Sequence, residues 1–194
     1  MKLSIDVLYQ TPKAWTEAVL SDFNTFLQDH ANCERKAAAF AMSMVAKYPY
    51  RTKILHPLID TAIEELEHFR DVVHLMSSRG VPLPIEMPED EYTKKLIASC
   101  RPTREERFLD RLLLGSVFET RGAERFKLIY EVLDDPQLKK FYHNLWASEA
   151  KHSNNYVKFA LLYFDQNTVY ERLKQLIDIE SNIVQSLPFK PALH

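Results

Sequence analysis

Two short segments of this 194-residue chain share a pattern suited to binding metal: Glu65-Leu66-Glu67-His68 and Glu149-Ala150-Lys151-His152. On a helix, a glutamate and a histidine three residues apart stand on one face. Each pair follows a lone glutamate in an apolar, helix-like run: Glu34 in CERKAAAFAMSMVA and Glu119 in LLLGSVFETRGAERF. The intervals nearly match, 31 residues from Glu34 to Glu65 and 30 from Glu119 to Glu149. Four carboxylates and two imidazoles in that order are what a four-helix bundle uses to hold two metal ions in its core. Carboxylate-rich ligation with one histidine per ion suits iron or manganese better than structural zinc.

A single Glu-x-x-His usually means an ion pair on a solvated helix face. What makes this pattern specific is the matched upstream glutamates and their apolar neighbours. A buried carboxylate costs several kcal/mol unless a cation compensates it. Glu65 and Glu149 are expected to bridge the two ions, with Glu34 and His68 completing one and Glu119 and His152 the other. Glu64 is expected to hydrogen-bond the second ring nitrogen of His152, since metal-bound imidazoles are oriented in this way; a solvent-facing Glu64 is the plain alternative. The matching position in the other half is Ser148, a weaker orienter. His30, His56, His74, His143 and His194 have no such spacing and are expected to be structural or exposed. No separate protein acid or base is expected.

Gly115 and Gly122 lie four residues before and three after Glu119, on its helix face. Each costs ~1 kcal/mol relative to alanine inside a helix. They are expected to open space for a bulky substrate group, or else to allow close helix packing.

The elements that must position these groups are all helical. Only three glycines occur, and no segment alternates with the period of a strand. Thr11-Pro12 predicts a short helix, and Asp22 caps a longer one to about Lys47, ended by Tyr48-Pro49. A second long helix is expected from Thr52 to Arg79, stopped by Gly80. Residues 81–90 (VPLPIEMPED) read as an extended crossover, followed by a short helix near 90–99. Thr103-x-x-Glu106 is a capping box for a third long helix to about Leu133. Asp135-Pro136 starts a fourth, to about Phe164, and Asn167 or Thr168 starts a last one to about Ser186. Glu34 lies 13 residues before Lys47 and Glu65 lies 13 after Thr52, so both stand roughly 20 Å from their turn. The second hairpin repeats this, with 14 and 13 residues, which puts the four carboxylates at one height. Two hairpins joined by a long crossover is the connectivity of ferritin-like four-helix bundles.

Composition agrees with one domain over residues 1–194, with 46% hydrophobic and 27% charged residues. No run is long enough for a membrane span and no signal peptide is apparent. Two cysteines, Cys33 and Cys100, are too few for a disulfide framework or a cysteine-based metal site, so a cytoplasmic setting is expected. A net charge of −2 argues against a surface built wholly for nucleic acid. Lys94, Lys95, Arg101, Arg104, Arg107 and Arg111 form a candidate phosphate-contacting stripe. It is diluted by Glu105, Glu106 and Asp110, so a solvated face is favoured over it.

A carboxylate-bridged iron pair serves hydroxylation or desaturation, ferroxidase chemistry with iron storage, or peroxide handling, and a dimanganese pair serves as a catalase. The ligand pattern alone leaves these open. The segments CERKAAAFAMSMVAKYP, TAIEELEHFRDVVHLMSSRG, GSVFETRGAERFKLI and LWASEAKHSNNYVKFALLY resemble the tRNA hydroxylase family MiaE. The resemblance implies O₂-dependent hydroxylation of the isopentenyl side chain on 2-methylthio-N6-isopentenyladenosine, next to the anticodon of tRNA. It carries over Glu34, Glu65, His68, Glu119, Glu149 and His152 as ligands of two iron ions. O₂ would be cosubstrate, and electrons would come from an external redox partner, since the chain has no Gly-rich dinucleotide loop or cysteine cluster.

Overall fold

A computed structural model describes residues 2–87 and 89–194, which form seven helices and no strand. In chain order these are α1 (Lys13–Ser21), α2 (Phe23–Lys47), α3 (Thr52–Ser78), α4 (Glu91–Ala98), α5 (Arg104–Val132), α6 (Pro136–Leu161) and α7 (Gln166–Gln185). The described residues of the expected crossover are not helical; Pro88 lies outside the described residues. No described helix is long and apolar enough to cross a membrane. The chain divides into two compact units, one of Glu17–Glu89 with Phe189–Leu193, the other of Asp90–Pro188 with the N-terminal stretch up to Thr16 and His194.

The first unit is built on the α2–α3 hairpin. Asp22 caps α2 by accepting from Thr25 N at 3.0 Å and from the Thr25 hydroxyl at 2.7 Å, a contribution of about 1 kcal/mol. After Lys47 the chain turns through Tyr48–Arg51 and α3 begins at Thr52. Gly80, at φ 67°, supplies the left-handed residue after α3, and the amides of Gly80 and Val81 close back on Ser77 and Met76. The inward stripe is mostly apolar (Leu27, Ala31, Ala38 and Met44 on α2; Leu58, Ala62 and Val72 on α3), with His30, Glu34, Thr61 and Glu65 as its buried polar members.

In the second unit α5 and α6 form the matching hairpin, with α4 and α7 packed on it. Asp135 caps α6 through Gln137 N and Leu138 N, with Pro136 in the first turn. The Thr103 hydroxyl donates to the Glu106 carboxylate and makes no side-chain cap bond to a backbone amide, so the two residues of the expected capping box pair with each other instead. Helix α6 ends at Leu161, three residues short of the expected Phe164, because the amides of Tyr163 and Phe164 both turn back to Ala160 O. Helix α7 is capped by Asp165 rather than Asn167 or Thr168: its carboxylate accepts both the amide and the hydroxyl of Thr168.

Two buried ionic clusters hold this unit together. Glu180 of α7 is fully buried and receives Arg121 of α5 at 2.7 and 3.0 Å, with Tyr92 OH of α4 at 3.1 Å. Arg121 also donates to Tyr9 O, Thr11 Oγ1 and Glu124 Oε2, which fixes the N-terminal segment against α5. Its neighbour Arg125 lies 4.9 Å over the Trp15 ring, and burial together with the Arg121 charge lowers its pKa to about 10. The second cluster is Asp110, fully buried and gripped by Arg101 and Arg172. Burial pushes its pKa up, but the arginine hydrogen bonds outweigh burial and hold the carboxyl below its ordinary range. Of the candidate basic stripe, Arg101 is thus committed to Asp110 and Arg111 is buried. Only Lys94, Lys95, Arg104 and Arg107 remain exposed.

Candidate metal centre

Each hairpin carries its own cluster of ligand-type side chains. In the first, α2 contributes Glu34 and α3 contributes Glu65 and His68, one turn apart on a single face. Glu34 and Glu65 are 3% and 1% exposed. His68 Nδ1 stands 3.3 Å from Glu65 Oε2 and 3.7 Å from Glu34 Oε2, and the three residues present donor atoms within 4.8 Å of one another.

The second hairpin repeats the arrangement with Glu119 from α5 and Glu149 and His152 from α6. All three are buried, and their donor atoms again lie within 4.8 Å of one another. His152 Nδ1 is 3.3 Å from Glu149 Oε2, the same separation as in the first Glu-x-x-His. Donors each ~2.1 Å from a shared ion and at right angles stand about 3 Å apart, so both pairs have the spacing of neighbouring ligands on one metal. Two buried carboxylates per hairpin also need a compensating cation. With two oxygen donors and one imidazole nitrogen, each triad suits a divalent iron or manganese ion.

His30, expected to be structural or exposed, is structural, and the structure gives it a partner that the sequence reading did not name. His30 is fully buried, and its Nε2 donates to Glu34 Oε1 at 2.7 Å. Its spacing from Glu34, four residues and one helical turn earlier, was the available signal. His56, His74 and His143 are exposed, and His194 stacks on Tyr92 at 4.7 Å, so these four follow the expectation. Glu64 is half-buried on α3.

The two glycines of α5 differ. A Cβ on Gly115 would lie 2.7 Å from Cδ1 and Cε1 of the Tyr156 ring. The space expected there for a substrate is taken by the protein's own tyrosine, and Gly115 serves close helix packing. At Gly122 the nearest atom to an added Cβ is Glu149 Cγ at 3.9 Å, an ordinary contact, so room remains beside that ligand-type carboxylate. Substitution by alanine should therefore have opposite signs at the two sites. Gly122→Ala is expected to stabilise by about 0.5–1 kcal/mol through helix propensity. Gly115→Ala is expected to lose about 1 kcal/mol net, because moving the ring costs ~1–3 kcal/mol and outweighs that gain. Urea unfolding of both variants checks the contrast.

The model of the tRNA-(MS(2)IO(6)A)-hydroxylase (MiaE) family matches residues 2–194. The chain belongs to the MiaE family. A tRNA 2-(methylsulfanyl)-N(6)-isopentenyladenosine(37) hydroxylase of Pseudomonas putida is 38% identical over 177 residues, covering 91% of this chain and 85% of that protein. The Salmonella typhimurium protein of the same description is 26% identical, over 91% of this chain and 82% of the relative. Among solved structures, a Synechococcus protein with aldehyde deformylating oxygenase activity superposes with a TM-score of 0.92 at 32% identity, covering 97% of this chain and 94% of that one. The fold class expected from the sequence, all-α and ferritin-like, is the one found. Like its MiaE relatives, the chain is an enzyme of the hydroxylase type.

Proposed function

We propose that this chain is an O₂-dependent diiron monooxygenase that hydroxylates the isopentenyl side chain of 2-methylthio-N6-isopentenyladenosine in tRNA. The observation that carries the reading is a MiaE match over residues 2–194 on a chain in which each hairpin gathers a Glu, Glu, His triad. In this reading residues 1–194 work as one domain, and the two triads close on one pair of iron ions. Glu65 and Glu149 would be shared between them, with Glu34 and His68 holding one ion and Glu119 and His152 the other. When bound, a reduced iron pair would supply O₂ activation: one oxygen atom enters a C–H bond, and the other leaves as water with two electrons from an external donor and two protons from solvent.

The remaining work belongs to the protein. The histidines one turn from Glu65 and Glu149 fix the angle of each Glu-x-x-His. Glu64 is the proposed partner for the second ring nitrogen of His152. By helical spacing, the buried Phe126, Leu145 and Tyr156 share the face of Glu119 and Glu149 and exclude bulk water there. Gly122 leaves the opening for the apolar prenyl chain. A prenylated base next to the anticodon is already unpaired and presents that chain outward. The setting is the cytoplasm, with tRNA and a separate redox protein as partners.

Gly122→Leu is expected to abolish turnover while two iron ions remain bound per chain; turnover surviving that change removes the pocket assignment. The function is tested by nucleoside mass spectrometry of hypomodified tRNA treated with reduced, iron-loaded protein and O₂. A gain of one oxygen on the prenylated adenosine supports it, and an unchanged nucleoside mass with iron bound overturns it.

A further inference from the structure

The two Glu-x-x-His hairpins are near copies, so the positions at which they differ next to the ligand-type residues are informative. One turn before Glu34 stands His30, and one turn before Glu119 stands Gly115. One turn after His68 stands Val72, and one turn after His152 stands Tyr156. Large and small have been exchanged. In the first hairpin α2 carries an imidazole and α3 a valine; in the second a glycine on α5 admits the Tyr156 ring from α6. The consequence is chemical as well as steric, because only the first arrangement puts a ring N–H from that position onto the lone glutamate.

We propose that His30 is a positioning residue that occupies Oε1 of Glu34, so that Glu34 meets its metal ion through Oε2 alone, and that the two metal positions are thereby made unequal. This rests on reading the triads as the two halves of a metal pair. Glu34 Oε1 lies 2.7 Å from His30 Nε2, while Oε2 is turned to the side of His68 Nδ1, 3.7 Å away. His30 and Glu34 are both buried, where a charge-assisted hydrogen bond is strong and slow to exchange with water. The imidazole is itself packed against Phe26, with centroids 5.8 Å apart, which limits its rotation. A carboxylate held by one oxygen cannot swing into two-oxygen contact with its ion. At the matching α5 position Gly115 has no side chain with which to restrain Glu119.

The test compares wild type, His30→Leu, which keeps bulk and removes the donor, and His30→Gln, whose side-chain amide restores an N–H. Each full-length protein is loaded anaerobically with Mössbauer-active ferrous iron; iron content is measured and spectra are recorded without substrate or turnover. Wild type is expected to hold two irons per chain in two distinct quadrupole doublets of equal area. His30→Leu is expected to shift one doublet, leave the other in place, and bind its weaker iron about 10–100-fold less tightly. His30→Gln is expected to recover both features. Two irons with wild-type spectra and affinity in His30→Leu overturn the proposal, as does an equal shift of both doublets. If His30→Leu does not accumulate as folded protein, His30→Met takes its place, and a folded His30→Gln that fails to recover the wild-type spectrum also overturns it. A wild-type protein that binds no iron is a separate result, and one that removes the functional reading itself.

Discussion

Replacing Glu149 by alanine is expected to cost the protein its iron pair and at least about a thousand-fold of its hydroxylation rate. In the proposed site Glu149 would be shared by both ions, so its loss would loosen two positions at once. Metal assistance is worth several kcal/mol of barrier, and each ~1.4 kcal/mol is tenfold in rate. The same substitution should act in the opposite direction on the metal-free fold. Glu149 is 2% exposed and shares its hairpin's cluster with the buried Glu119. Removing one of two crowded acids relieves desolvation and like-charge repulsion, so metal-free Glu149→Ala should unfold at higher urea concentration than metal-free wild type. Function and stability are then opposed at this residue, as at many sites shaped for activity. Glu67 is exposed on α3, and Glu67→Ala should change neither iron content nor rate. Iron analysis, turnover and urea unfolding of the three proteins check this together. A Glu149→Ala protein with two irons per chain would be incompatible with a bridging role.

The second large effect concerns stability alone. Arg121→Ala or Glu180→Ala is expected to destabilise the protein by about 3–5 kcal/mol, because each leaves a buried opposite charge uncompensated. Against a typical total of about 5–15 kcal/mol, either change should leave a substantial unfolded fraction on warming. Arg121 and Glu180 are both fully buried, and their cluster joins α5, α7, Tyr92 of α4 and the N-terminal segment. Replacing both together, Arg121→Met with Glu180→Leu, should cost far less than either single change, since no charge is stranded. A urea-unfolding double-mutant cycle measures the difference. Additive single effects would show that the pair is not coupled.

The hairpins and the ligand-type residues were legible because both rest on short-range rules. Asp22, Gly80 and Asp135 act through atoms within a few residues of themselves, and the Glu-x-x-His spacing is one helical turn. The α7 cap was misplaced by two or three residues because Asp, Asn and Thr all accept amides, and only the local turn decides among Asp165, Asn167 and Thr168. Gly115 was harder. Its meaning depends on Tyr156, 41 residues further along the chain, and glycine beside a ligand-type residue has the same local signature whether it makes room for a substrate or for a neighbouring ring. The Arg121–Glu180 and Asp110–Arg172 pairs were invisible for the same reason: on a one-dimensional reading each is an ordinary charged helix position. His30 lies between these cases. Its one-turn offset from Glu34 is present in the sequence and its structural role agrees with the expectation, but the spacing alone does not tell a hydrogen bond to Glu34 from any other buried position.

The most direct measurement is X-ray diffraction at the iron absorption edge from crystals of the iron-loaded full-length protein. Two anomalous peaks are predicted, one against Glu34 and His68 and the other against Glu119 and His152, with Glu65 and Glu149 between them. A single peak, or iron bound away from these six side chains, would contradict the account.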